Sequence, residues 1–305
     1  MENNQTLADN LKLNMYLHMT LKKIRAKQAK PQRKGTYSYC YMFKDHVVLK
    51  NTSSIRDLDD EKRAGLEQRF KQKQAFTDYL VDELAVNTPR LVGCYTGKQH
   101  FYEIQERAKG QVLSIHYPTT ARAITFNKDV VDIDEGDANL AQERERENNI
   151  GLGERDAIAK GVAKYNIAMQ KMLKDADQLL FNKFVRDFKV LVQNNVGVDY
   201  FRSENFLFDK DEGFSFVDLA PRLEPAAQVE VSDFEISKMI FGAFADFKTY
   251  LNIMDAKTAK IISENMAPIN EKLYNAMKIM DFKFTPNEEA QIVELTRRHR
   301  NTLKK

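Results

Sequence analysis

The chain has 305 residues, with 47 Lys or Arg against 44 Asp or Glu, so its formal net charge is +3. Hydrophobic residues make up 43% and charged residues 30%, a balance that excludes collagen-like, disulfide-scaffold and fully disordered proteins. No apolar run reaches the roughly 20 residues of a membrane-spanning helix, and we expect no membrane partner. At roughly 150 residues per domain, the length predicts two domains or one domain of two lobes.

The first third of the chain is predicted to form a helix followed by a small β-rich region. Pro31 and Gly35 separate the two, because neither residue continues a helix. Aromatic and β-branched residues around a Lys44-Asp45 turn then favour a hairpin. The elements predicted here are helix 7–27, a hairpin over 36–50, helix 56–86 and strands over 90–95 and 99–105.

The remainder of the chain is predicted to be mainly helical. A polar, partly helical insertion is expected over 118–153, followed by a helical region over 154–195. Residues 196–219 hold a second hairpin, and the chain is helical from Ser232 to its end. Strands and helices are therefore segregated, which predicts an α+β fold and argues against a Rossmann sheet. The predicted divisions are an N-terminal basic helix over 1–34, an N-lobe over 35–105 and a C-lobe over 106–305.

Two cysteines and the N-terminal residues bear on the compartment. Cys40 and Cys94 lie in no Cys/His cluster, so a structural zinc site is not expected, and both are expected to be buried strand thiols. The small number of cysteines indicates a reducing compartment. The first residues carry no basic segment followed by an apolar one, so a cytoplasmic location is expected.

Three oxygen-bearing side chains are grouped around the second hairpin. Asn205 opens its first strand, Asp218 ends its second strand, and Asp199 lies a few residues upstream. Hard oxygen ligands in this arrangement suit Mg²⁺, which binds a few protein oxygens together with substrate phosphates. The alternative is that these side chains satisfy local backbone groups at turns, a common role of Asp and Asn.

Lys50 ends the apolar strand run Val47-Val48-Leu49. A lysine at the end of a buried strand needs a counter-charge, either a helix carboxylate or a ligand phosphate, because lysine is rarely buried alone. The alternative is a lysine that points to solvent.

The order of these motifs resembles that of the protein-kinase-like fold family. Gly35 and the residues after it resemble the nucleotide-covering loop, and the strand ending at Lys50 resembles the family's lysine strand. Residues 102–110 resemble the last N-lobe strand and the hinge, 202–205 the end of the catalytic loop, and 216–219 the metal-binding strand. The resemblance covers about residues 33–220 and implies a two-lobed fold that binds ATP and Mg²⁺.

The resemblance also implies a role for each matching residue. Phosphoryl transfer relies on positioning and charge, so the implied roles are mainly those of holding groups in place. The resemblance implies that Lys50 binds the phosphates and pairs with Glu67 or its rival Glu61. It implies that the backbone of Gln105, Glu106 and Arg107 binds adenine. It also implies that Asn205 and Asp218 bind Mg²⁺ and that Asp199 abstracts the proton.

Several features depart from the family pattern. Asp199 lies six residues before Asn205, so Tyr200 occupies the position expected for the base. Asp218 is followed by Leu219, and the nucleotide loop holds the single glycine Gly35. These departures resemble atypical or small-molecule bacterial kinases more than eukaryotic-type protein kinases.

Three functions follow from these observations. The first is a kinase that transfers phosphate to a protein or small-molecule hydroxyl. The second is a pseudokinase that binds nucleotide or a partner without catalysis. The third is a nucleic-acid-associated protein, suggested by the basic stretch over 22–34, although the sequence holds no recognisable nucleic-acid module.

Overall fold

The computed structural model describes most of the N-lobe and of the C-lobe. The described residues are 15, 18–24, 26, 28–29, 31, 33–34, 38–51, 60–97, 100–114, 152–200, 202–221, 231–244 and 256–301. The predicted insertion at 118–153, except its last two residues, lies outside them, as does the start of the predicted helix 7–27.

Five antiparallel strands form the sheet of the N-lobe, in the spatial order β1-β2-β3-β5-β4. Both predicted strand pairs are confirmed, since β2 pairs with β3 and β4 pairs with β5. The strands are β1 (Arg33–Lys34), β2 (Ser38–Met42), β3 (His46–Asn51), β4 (Leu91–Thr96) and β5 (Phe101–Glu106).

A helix covers each face of this sheet. Residues 18–24 form helix α1, and its Leu21 and Ile24 pack in one buried cluster with Tyr41, Val48, Tyr102 and Ile104. Helix α2 (Asp60–Asp82) packs on the opposite face, where Phe70 joins Leu91 and Phe101. We call the face under α1 the outer face and the face under α2 the inner face.

The C-lobe is built from five helices among the described residues. They are α3 (Leu152–Asp175), α4 (Gln178–Gln193), α5 (Asp233–Ala243), α6 (Ala256–Ile279) and α7 (Pro286–Asn301). The helical region predicted over 154–195 is therefore two helices. The division falls at Asp177, whose side chain accepts a 2.8 Å hydrogen bond from the Leu179 backbone N–H and so starts a new helix.

Short strands in the C-lobe hold the second hairpin against the helices. They are β6 (Gln111–Val112), β7 (Val196–Gly197), β8 (Phe206–Asp209), β9 (Gly213–Phe216) and β10 (Ala220–Pro221). β8 and β9 form the predicted hairpin, and β6 pairs with the other side of β8.

Phe184 of α4 lies at the centre of the core beneath this hairpin. Its ring centroid is 4.6 Å from that of Phe214, 5.4 Å from Phe216 and 5.9 Å from Phe206. These four side chains are at most 3% exposed. Aromatic pairs at such separations add roughly 0.5–1.5 kcal/mol each beyond area burial, so the hairpin is fixed firmly to α4.

Glycine is required where the chain leaves the N-lobe sheet. Gly110 has a φ of +94°, and a Cβ built on it would lie 2.4 Å from the Phe208 carbonyl oxygen. Only glycine permits this approach of residues 107–110 to β8.

The prediction of an α+β chain with a small β-rich N-lobe and a larger helical C-lobe is confirmed. Within the described part of the chain, no helix combines the length and the apolar character needed to cross a membrane.

Candidate functional site

Two strand pairings enclose the predicted catalytic loop. β7 pairs antiparallel with β10, with Gly197 opposite Ala220, while β8 pairs with β9, with Phe206 opposite Phe216. The chain between these pairs, residues 198–205 and 217–219, is therefore confined to one short loop cluster at the open end of the hairpin.

Asn205 and Asp218 lie side by side within this cluster. The Val217 backbone N–H donates to the Asn205 carbonyl oxygen at 2.9 Å, which places Asp218 next to Asn205. The Asn205 side-chain Nδ2 donates to the Asp199 carbonyl oxygen at 3.3 Å. This bond uses the nitrogen of the amide and directs its Oδ1 elsewhere, so Oδ1 remains an acceptor for a metal ion.

Asp218 has a strained backbone. Its φ is +60°, in the left-handed region that few residues other than glycine adopt, although aspartate adopts it more often than most. Ala85, Asn195 and Asp281 also have positive φ values, but each lies two or three residues after a helix end, where this conformation is common. Asp218 instead lies between β9 and β10, and strain of this kind is concentrated at functional sites.

Asp199 faces solvent beside Arg202. The Arg202 Nε lies 3.4 Å from the Asp199 Oδ2, and both side chains are well exposed. Exposed ion pairs of this kind contribute roughly 0–1 kcal/mol, so Arg202 holds Asp199 only weakly. The Asp199 carboxylate is therefore accessible.

Tyr200, which stands where the family pattern places the base, packs into the C-lobe. Its ring lies against α5 at Gly242, where an added Cβ would come within 2.9 Å of the Tyr200 Cδ2. Tyr200 is thus a packing residue that fixes the loop to α5, and its neighbour Asp199 is the one that points outward.

A buried contact that the sequence did not indicate anchors the other end of this loop. The hydroxyls of Ser203 and Ser114 are within hydrogen-bonding distance, and both side chains are at most 1% exposed. Ser114 follows β6, so this contact joins the loop to the segment that enters from the N-lobe.

The structure does not bring Lys50 and Glu67 together. Strand register places Cys40, Leu49, Glu103 and Cys94 in one row across the sheet, and this row faces α2. Lys50 belongs to the next row, with Tyr39, Tyr102 and Tyr95, which packs toward α1 on the outer face.

The partners of Lys50 and Glu67 agree with this placement. The Lys50 Nζ lies 5.6 Å from the centroid of the Tyr39 ring, in a cation–π arrangement. Glu67 accepts a 2.8 Å hydrogen bond from the Thr96 hydroxyl on β4. The rival carboxylate Glu61 is exposed at the start of α2. The expected pairing of Lys50 with a carboxylate of α2 is therefore absent from the described contacts.

The backbone expected to bind adenine is already engaged in part. The Glu106 N–H donates to the Arg90 carbonyl at 2.9 Å, and the Arg107 N–H donates to the Asp45 carbonyl at 3.0 Å. Gln105 is half-buried on the inner face, opposite Val47 of β3. The edge of an adenine at this segment would have to bond to the backbone carbonyl groups of residues 105–107 or to the backbone of residues 108–110.

The loop between α2 and β4 docks on the C-lobe beside the site. Asn87 Nδ2 donates to the Phe214 carbonyl at 2.8 Å and to the Ser215 hydroxyl at 2.9 Å. The Phe216 N–H in turn donates to the Asn87 carbonyl at 2.9 Å. Asn87 thereby holds the strand that leads directly to Asp218.

A buried carboxylate supports the same loop from below. Asp187 of α4 is 1% exposed, and burial raises its pKa above the usual range of an aspartate. Arg186, Lys183 and the backbone of Asn87 oppose this shift. Arg186 donates both to Asp187 and, at 2.8 Å, to the Ala85 carbonyl, so this pair connects α4 to the docking loop.

Cys94 does not have the properties of a nucleophile. It lies half-buried on β4, and Cys40 is half-buried on β2, so both are strand thiols as predicted but less buried than expected. Burial, followed by the nearby Glu67 and Glu103 carboxylates, raises the pKa of the Cys94 thiol. The thiol is therefore protonated at neutral pH, and a protonated thiol is a poor nucleophile.

The donor set at the loop cluster fits a magnesium ion bound mainly through phosphate. Asn205 and Asp218 supply one amide and one carboxylate oxygen, which are the hard ligands that Mg²⁺ prefers. In the part of the chain that the structure describes, no three His, Cys, Asp or Glu side chains form a metal cluster.

No family model and no curated protein matches the sequence. Similar solved structures include three of WbdD, one described as a bifunctional kinase-methyltransferase and one as a complex with the kinase inhibitor LY294002. They are 8–10% identical to this chain, cover 85–86% of it and have TM-scores of 0.31–0.33. The chain spans about half the length of these matches, 47–48%. At this similarity no residue of WbdD is equated with a residue here.

Proposed function

We propose that the chain is an ATP- and Mg²⁺-dependent phosphotransferase that acts on a protein or small-molecule hydroxyl. The observation that carries the proposal is the loop cluster, in which Asn205 adjoins an Asp218 held at a φ of +60° and is bonded to the backbone of Asp199. A fold that maintains strain at an exposed aspartate is explained by a ligand that uses the carboxylate.

Within this proposal, each side chain of the cluster has a distinct task. Asp218 and the Asn205 Oδ1 would hold Mg²⁺, which would supply charge neutralisation on the transferred phosphate. The exposed Asp199 carboxylate accepts the proton of the acceptor hydroxyl. Tyr200, packed on α5, keeps Asp199 turned outward. Most of the catalytic effect comes from positioning, as is general for phosphoryl transfer.

The inner face of the N-lobe offers a surface for the nucleotide base. Met42, Val47, Leu49 and Gln105 lie on this face, and all except the buried Val47 are half-buried. A partly exposed apolar surface of this kind suits an aromatic ring, because ligand sites are mainly apolar with a few polar groups.

One observation favours the second candidate, a pseudokinase that binds nucleotide without transfer. The lysine expected to hold the phosphates, Lys50, lies on the outer face with Tyr39. If no other cation serves the phosphates, binding survives through the loop cluster while transfer is lost.

The first experiment measures melting temperature with and without ATP and Mg²⁺. A ligand that binds only the folded state raises stability by RT ln(1 + [L]/Kd), about 2.7 kcal/mol at 100 times Kd. We expect a rise for the wild type and none for Asp218→Asn. Asp281→Asn is the matched control, because Asp281 also has a positive φ but lies at the end of α6.

Turnover then separates the two candidates. Transfer of phosphate from ATP to an acceptor or to the chain itself, lost in Asp199→Asn, supports the phosphotransferase. A nucleotide-dependent rise in melting temperature without any turnover supports the pseudokinase. If the wild type shows no rise with ATP and Mg²⁺, both candidates are refuted.

A further inference from the structure

One end of the N-lobe sheet meets the C-lobe, where Asn87 bonds to β9 and Gly110 lies against Phe208. At this end the Glu106 N–H donates to the Arg90 carbonyl within the N-lobe. Leu91 and Gln105 pair just beyond these residues and form the first inner-face row at this end. Glu103 stands two residues further along β5, about 7 Å away at roughly 3.4 Å per residue.

An ion pair joins Glu103 to helix α2 on this inner face. The Lys73 Nζ lies 2.9 and 3.2 Å from the two Glu103 carboxylate oxygens. The Glu103 side chain is 19% exposed, whereas that of Lys73 is 55% exposed. Because Glu103 lies directly opposite Leu49, the Lys73 ammonium lies over the row in which β3 presents Leu49.

The geometry of this pair leaves Lys73 available to a further anion. An ammonium group has three donors, and two of them are directed to the Glu103 oxygens. The Lys73 side chain is 55% exposed, so the third donor can reach a ligand from solvent on the inner face. A phosphate reaching this row would thus meet a cation held in place by a carboxylate. Here the helix supplies the lysine and the strand supplies the carboxylate, which is the reverse of the expected Lys50–Glu67 pair.

We propose that Lys73, and not Lys50, is the cation that binds the nucleotide phosphates, and that Glu103 positions it. This proposal rests on the proposed function of the loop cluster. It assigns the phosphate-binding role to a helix residue, and it makes Leu49 part of the surface that contacts the nucleotide.

The test compares dissociation constants for ATP in the presence of Mg²⁺, measured by calorimetry, for Lys73→Met and Lys50→Met. Charge-assisted hydrogen bonds are worth about 1.5–3 kcal/mol, so we expect Lys73→Met to weaken binding about 10- to 100-fold. We expect Lys50→Met to change it less than about twofold. Lys71→Met, on the same helix and exposed, is the control for charge loss alone.

Two further variants separate binding from stability. Lys73→Arg keeps the cation and is expected to recover most of the affinity for ATP. If the ion pair were purely structural, the affinity for ATP would not depend on the charge at position 73. Lys73→Met/Glu103→Gln removes the charge of both partners, so it tests whether the loss persists when no unpaired carboxylate remains. We expect the same weak binding as in Lys73→Met.

The outcomes distinguish this proposal from the function on which it rests. Wild-type binding that Asp218→Asn abolishes but Lys73→Met leaves unchanged would overturn the role of Lys73 and leave the proposed function standing. Weakening by Lys50→Met alone would return the role to Lys50. No ATP binding by the wild type would refute both proposals.

Discussion

Replacing Asn87 by alanine tests how strongly the N-lobe is fixed to the strand that leads to Asp218. The substitution removes two side-chain hydrogen bonds, at 2.8 Å to the Phe214 carbonyl and 2.9 Å to the Ser215 hydroxyl. At about 0.5–1.5 kcal/mol each, their loss predicts a fall of roughly 1–3 kcal/mol in the free energy of unfolding. At about 2–4 °C per kcal/mol, a loss of 2 kcal/mol lowers the melting temperature by roughly 4–8 °C.

The assay is urea unfolding together with hydrogen exchange of individual amides. We expect faster exchange at Phe216, whose N–H donates to the Asn87 carbonyl, because the loop carrying that carbonyl loosens. Asn182→Ala is the control, since its Oδ1 accepts a 2.9 Å bond from Gln178 within the same helix, α4. It should cost about 0.5 kcal/mol or less. Equal unfolding midpoints for Asn87→Ala and Asn182→Ala would refute the docking role of Asn87.

Three more predictions concern single sites. Gly110→Ala should destabilise the chain by more than about 2 kcal/mol, because its Cβ would meet the Phe208 carbonyl at 2.4 Å. Gly161→Ala is the control and should stabilise the chain by about 0.5–1 kcal/mol, because this position inside α3 has open space for a Cβ. Equal urea midpoints for the two variants would contradict the close approach of Gly110 to Phe208. Asp218→Gly should be more stable than Asp218→Ala by about 1 kcal/mol in thermal melts, because glycine accepts a φ of +60°, while both lose the response to ATP and Mg²⁺. Burial raises the folded pKa of Asp187 above its usual 3.8, so the stability it contributes is present at low pH and lost as pH rises through the raised value. The difference in unfolding free energy between wild type and Asp187→Asn should therefore fall with rising pH, and a difference that rises would show that Arg186 dominates.

Local pattern predicted the second hairpin and the grouping of its polar side chains. Asn205 and Asp218 are brought together by the pairing of β8 with β9, which the alternating phenylalanines and the turn at 209–213 predict. A hairpin fixes its own register, so residues at its open end can be placed from sequence alone. The Asp199 carbonyl is close enough in sequence to join them.

The same reasoning did not determine the direction of Lys50. Strand side chains alternate between faces, so an error of one residue reverses the side on which a lysine lies. Val47, Val48 and Leu49 are all apolar and give no alternation from which the facing could be decided. The structure resolves it through Glu103, which lies opposite Leu49 and contacts α2 through Lys73.

Contacts between distant parts of the chain were also beyond sequence patterns. Asn87 and Phe214 are separated by 127 positions, and no periodicity relates them. Similarly, the division of the helical region 154–195 depends on the Asp177 cap, which resembles any other aspartate in a charged segment.

The pairing of β7 with β10 has a consequence for the order of folding. Among the described residues, the β7–β10 and β8–β9 pairs and the bond from the Val217 N–H to the Asn205 carbonyl all lie between Val196 and Pro221, so only a short chain segment must be closed. The entropy lost on closure grows with the logarithm of loop length, so this segment can form early once α4 offers its phenylalanines. The bond from Asn87 closes a much longer loop of 127 positions and is expected to form late. The loop cluster would then form before the N-lobe docks, and docking would bring the N-lobe groups of the candidate site to it.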